Sequence, residues 1–167
     1  MTNFLSKKYS AISLLLIALI CTGCGFKFRG NYLLAPELQN IYVSSSDKHG
    51  ELTRLIKQHL KMNQVTLATT FNANTPELRI LSDKLDRRTL SVFPNGQVAE
   101  YELIYAVRYQ LRIADTEPQN FRFELYRDYQ DDPNIALAKS RELNLMLSEM
   151  RQNAADKILR DMASIQL

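Results

Sequence analysis

Between Tyr101 and Ile113 the chain keeps a period of two. Tyr101, Leu103, Tyr105, Val107, Tyr109, Leu111 and Ile113 form one set, and Glu102, Ala106, Arg108, Gln110 and Arg112 form the other. An extended strand sends successive side chains to opposite faces, so this pattern excludes a helix and demands a cover for one face only. Upstream, Pro94-Asn95-Gly96-Gln97 contains Asn-Gly between apolar flanks (Val92-Phe93 and Val98), a strong hairpin signal. Leu78 and Ile80 begin the partner strand, which continues past Leu85 toward Val92 with an irregularity near Asp83. After a turn at Thr116–Asn120, Phe121, Phe123 and Leu125 alternate with Arg122, Glu124 and Asp128. Three antiparallel strands with one apolar face are predicted, the other face being wet or covered by a partner.

Helical periods flank this sheet. Leu52, Leu55, Ile56, His59 and Leu60 fall on one side of a helix that ends at Asn63-Gln64. Near the C-terminus, Leu143, Leu147, Met150, Ala154, Ile158, Met162 and Ile165 repeat every three or four residues. Asp131-Asp132-Pro133 supplies a capping acid and a proline suited to a first helical position. Asn134–Lys139 fits either the helix or a preceding loop, since Ser140 is a second possible cap. Leu38–Ser45 reads as a short strand, Val65–Thr70 as a brief extended piece and Asn72–Pro76 as a turn. The predicted fold class is α+β: a two-layer sandwich with two helices on one face of a four-stranded, mostly antiparallel sheet.

The first residues determine location. Lys7 and Lys8 precede an apolar run over Ala11–Cys21, followed by Thr22-Gly23 and Cys24-Gly25. A basic region, a short apolar core and small residues make a secretory signal, too short to span a bilayer as a mature helix. With a cysteine directly after the small residue, it resembles a bacterial lipoprotein signal. That resemblance implies removal of 1–23, acylation of Cys24, and a membrane-anchored chain over 24–167 that forms a single domain. Gly25 is not Asp, which by the same resemblance favours the outer membrane, on its periplasmic side. Stable anchoring needs about two acyl chains, and such proteins carry three.

Removing 1–23 from 167 residues leaves 144, with 19 bases against 18 acids. A net charge of +1 is not that of a general nucleic-acid binder. With Cys21 removed and Cys24 acylated, no free thiol remains for a disulfide, a metal or nucleophilic attack. His49 lies in a polar turn and His59 on an apolar stripe, which makes no metal site. The carboxylates are dispersed: Asp131-Asp132 read as capping groups, and Asp83 and Asp86 as solvated. Five glycines in all leave little room for a phosphate-cradling loop, and no catalytic motif occurs. The expectation is a non-enzyme without cofactors beyond the lipid on Cys24. A free-standing lipid-anchored binding protein or cell-wall enzyme is the alternative.

Three segments carry a closer likeness. Cys24-Gly25-Phe26-Lys27-Phe28-Arg29, the hairpin block from Ser91 to Tyr101, and Ala136-Leu137-Ala138-Lys139 together resemble the LptE (RlpB) family of lipopolysaccharide-assembly lipoproteins. The resemblance implies a plug inside the outer-membrane β-barrel LptD that assists its assembly and binds lipopolysaccharide. It also implies two helices on a four-stranded sheet. Lys139 matches a lysine implicated in lipopolysaccharide binding. The family's second basic position, at the hairpin tip, is Pro94 here, which leaves Arg87 and Arg88 as candidate substitutes. Phe93, Asn95 and Gly96 are the candidate contacts with the barrel.

Overall fold

The computed structural model describes residues 34–114 and 116–165. In chain order come β1 (Asn40–Ser45), α1 (Glu51–Met62), β2 (Thr66–Ala68), β3 (Glu77–Val92), β4 (Val98–Arg112), β5 (Gln119–Gln130) and α2 (Ala136–Ser164). Short 3₁₀ turns occupy Pro36–Leu38 and Pro133–Ile135. One mixed sheet runs β2-β1-β3-β4-β5. β1 is parallel to both its neighbours, whereas β3, β4 and β5 are antiparallel.

The α+β class stands, but the sheet has five strands where the sequence suggested four. The extra one is β2, which pairs Thr66, Leu67 and Ala68 with Asn40, Ile41 and Tyr42. Three residues are too few to display a period, so this stretch reads only as extended.

Both helices cover one face. Leu52, Leu55, Ile56 and Leu60 of α1 and Met150, Ala154, Ala155, Ile158, Leu159 and Met162 of α2 are buried against Leu103, Tyr105, Val107, Tyr109 and Leu111 of β4. α1 ends at Met62 with Asn63 as its cap, and Gln64 follows with φ 63°, a left-handed conformation that turns the chain into β2. His59 is a boundary residue: its Nδ1 lies 3.0 Å from Asp156 of α2. Asp132 caps the 3₁₀ turn by accepting from the Asn134 amide at 2.9 Å. The α-helix begins at Ala136, so Lys139 is helical and Ser140 lies inside the helix instead of capping it.

The irregularity in β3 sits at Leu81, two residues before Asp83. Ile80 pairs with Tyr109 and Ser82 with Arg108, leaving Leu81 as the surplus residue of a bulge. Before it, Leu78 and Ile80 face the helices; beyond it, Asp83, Leu85 and Arg87 do, opposite Val107, Tyr105 and Leu103. Asp83 is therefore half-buried and not solvated, and its Oδ2 accepts from the Tyr105 hydroxyl at 2.6 Å. β1 stops pairing at the same place, Ser45 against Ile80. From there to the tip the sheet narrows to three strands, a distal blade of β3, β4 and β5.

Candidate functional site

The hairpin tip is built by backbone chemistry. The Gly96 amide donates to the Phe93 carbonyl at 2.9 Å, and the Phe93 amide to the Gln97 carbonyl at 2.7 Å. Pro94 supplies the fixed φ that opens such a turn, and Gly96 closes it at φ 84°, where a side chain is strained. A Cβ on Gly96 would meet nothing within 4 Å, so the requirement for glycine is conformational and not steric. The Asn95 Oδ1 accepts from the Gln97 amide at 3.1 Å and braces the loop.

Phe93 does not fold back on the core. It is 38% exposed, beside Val92 at 59% and Leu90 at 46%. Phe93, Pro94, Asn95 and Gln97 share a cleft with Pro133 and Asn134, so the tip stands against the entrance to α2. Ile135 and Leu137, at that entrance, are 52% and 70% exposed. The end of the blade thus presents exposed apolar side chains from two chain segments.

The three candidate cations separate into two places. Tyr101 and Tyr129 are cross-strand partners on the helix face. Arg87 reaches over the Tyr101 ring at 5.9 Å, and Lys139 over the Tyr129 ring at 5.2 Å. The Tyr129 hydroxyl donates to the Lys139 carbonyl at 2.9 Å, fixing the start of α2 to β5. Burial first, then the charge of Asp131, holds that hydroxyl above its ordinary pKa; Lys139 and Arg87 pull against this and Glu142 adds to it. Lys139 and Arg87 therefore flank one pair of tyrosines. Lys139 is not free, since its Nζ donates to Glu142 at 2.8 Å, and this hydrogen bond raises its pKa. Arg88 points to the opposite face and pairs with Glu102 at 2.6 Å. Alternation along β3 makes that separation unavoidable, so Arg87 and Arg88 cannot serve one site together.

Two features escaped sequence reasoning. The tyrosine pair is one, because Tyr101 and Tyr129 become neighbours only through the β4–β5 register. The other is Glu77, a buried acid that accepts from Ser44 at 2.6 Å and from Arg79 at 3.1 Å, with Arg112 at 3.9 Å. Arg112 also donates to the carbonyls of Ala73 and Thr75 and lies 5.1 Å from the Phe71 ring. It thereby straps the loop before β3 across the base of the helix-free face. Cys24, the expected lipid-attachment residue, lies outside the described residues. Among the described residues, no three His, Cys, Asp or Glu side chains gather as metal ligands, and no helix is long and apolar enough to cross a membrane.

Comparison with known proteins adds an independent line. The LPS-assembly lipoprotein LptE of Yersinia enterocolitica is 38% identical over 146 residues, covering 87% of this chain and 70% of its own length. Its Yersinia pestis counterpart is 34% identical over 151 residues, covering 90% and 73%. The crystal structure of rare lipoprotein B from Shewanella oneidensis superposes with a TM-score of 0.70 at 48% identity, covering 75% of this chain and 94% of that one. A minor lipoprotein from Acinetobacter baumannii shares the fold, with a TM-score of 0.62 at 19% identity over 76% of this chain and 92% of that one. Residues 38–162, which hold every element from β1 to the last turns of α2, match the family described as lipopolysaccharide-assembly, and the chain belongs to that LptE family.

Proposed function

We propose that this protein is a non-catalytic, lipid-anchored component of lipopolysaccharide assembly at the outer membrane. It plugs the barrel LptD, assists its assembly and binds lipopolysaccharide. The anchor is Cys24, exposed once residues 1–23 are removed. The observation that carries the reading is the apolar end of the blade, where Phe93, Val92, Ile135 and Leu137 stay exposed although an apolar core lies within the same molecule. A free-standing binding protein has no use for that end, whereas a plug buries it against the lumen wall. Lys139, with Arg87 across the tyrosine pair, is the proposed grip for lipopolysaccharide phosphate, and engagement requires Glu142 to yield Lys139. Arg88, committed to Glu102 on the far face, is not part of that grip.

Co-purification from detergent-solubilised outer membrane tests the plug. The wild type is expected in a one-to-one complex with a large barrel. Gly96→Val should sharply lower the yield of that complex while the isolated protein stays folded, because the strain is confined to an exposed turn. Lys139→Asp should leave the complex intact and weaken binding to purified lipopolysaccharide by about tenfold, the loss of one charge-assisted contact. Recovery of the wild type without any barrel would overturn the plug reading.

A further inference from the structure

On the helix-free face of the blade, Arg108 of β4 and Arg122 of β5 stand directly opposite each other. Like charges in direct cross-strand register are destabilising, so this pair works against the sheet that carries it. Neither arginine has an acidic partner among the described residues. Arg108 donates its Nε to the Ser82 hydroxyl at 2.9 Å, which fixes the guanidinium plane and leaves both terminal nitrogens unused. Glu124, the nearest carboxylate on the same strand, instead accepts from the Tyr126 hydroxyl. Lys84 is already matched by Asp86 at 2.9 Å. Ala106, opposite Lys84 and Glu124, is too small to fill the space between β3 and β5. The result is an open depression of about 630 Å³ lined by Ser82, Lys84, Ala106, Arg108, Arg122, Tyr126 and the Glu124 carboxylate that Tyr126 holds.

We propose that this depression binds a phosphorylated sugar, with Arg108 and Arg122 gripping the phosphate. Two planar guanidinium forks match phosphate oxygens in a way that lysine ammonium groups do not. The space is far larger than a phosphate ion, so the ligand extends beyond its anionic group. Tyr126, 55% exposed at the rim, offers a ring face to a sugar. The site lies on the opposite face from Lys139 and Arg87 and is independent of them.

Full-length lipidated protein in non-ionic detergent, titrated with glucose 1-phosphate and followed by amide NMR, tests the assignment. Saturable shifts are expected at Ala106, Arg108, Arg122 and Tyr126. Inorganic phosphate should bind about tenfold more weakly at the same residues, and glucose not at all. Arg122→Gln and Arg108→Gln should each weaken glucose 1-phosphate by about tenfold or more, Arg122→Lys by less, and Lys139→Asp not at all. Arg122→Gln should also melt higher than the wild type without ligand, because the repulsion is relieved. Equal affinity for inorganic phosphate and the sugar phosphate would overturn the sugar component. Shifts that survive both glutamine variants, or no shifts at all, would overturn the site.

Discussion

Two tyrosines on β4 show how single side chains tie the layers together. Tyr105 and Tyr109 are both about 1% exposed, yet each hydroxyl reaches an acid: Asp83 at 2.6 Å and Asp161 at 3.0 Å. Burial pushes both hydroxyls well above the ordinary tyrosine pKa; the Asp83 hydrogen bond and charge add to it at Tyr105, where Arg151 opposes, and Asp161 adds to it at Tyr109. In the unfolded chain these protons leave near pH 10, whereas the folded chain keeps them. The folded state then binds more protons, so its stability is complete below about pH 10 and falls as the pH rises further. The urea midpoint should stay level from about pH 7 to 9 and decline above about pH 10. The Tyr105→Phe, Tyr109→Phe double variant should flatten that decline, and an unchanged alkaline slope would show that the slope arises elsewhere.

α2 has two halves with different duties, and mutation should separate them. Ile158 is fully buried, so Ile158→Ala should cost about 2–5 kcal/mol through lost burial and a residual cavity. Leu137, 70% exposed, touches little, and Leu137→Ala should change the stability of the isolated protein by less than about 0.5 kcal/mol. Urea unfolding of both variants checks the contrast, which a cost at Leu137 comparable to that at Ile158 would refute. Both helices, the hairpin and β5 were readable from the residues because each carries its own period over enough positions to be seen. β2 was not, since three residues hold no period. The bulge displaced the faces of β3 by one position, which is why Asp83 was misplaced on the solvent side. The candidate site was half legible. Asn95-Gly96 announces its turn locally, but the Lys139–Tyr129 and Arg87–Tyr101 stacks depend on strand register. The Glu77–Arg112 contact joins residues 35 positions apart, with nothing local to signal it.

Among the described residues, α1, the later turns of α2 and five strands share one end, and the first turns of α2 run along a three-stranded blade that ends in the apolar tip. Leu81 lies where one becomes the other. Its carbonyl accepts from the Ser46 hydroxyl at 2.9 Å, and its side chain is 39% exposed, so the core gains little from it. A bulge bends its strand and increases the local twist. Deleting Leu81 leaves Ile80 opposite Tyr109 and Ser82 opposite Arg108, with every later side chain on its present face. Deleting Lys84 would instead turn the rest of β3 inside out. The Leu81 deletion should therefore keep the native circular dichroism and a cooperative melt but lower the yield of the proposed barrel complex, whereas the Lys84 deletion should fail to fold. Loss of folding in both would show that the bulge supports the core. A residue that adds little to the core thus acts as a rudder: it sets the heading of the tip, and a lineage could retune the fit to the proposed barrel by editing that position while the hull of the protein stays as it is.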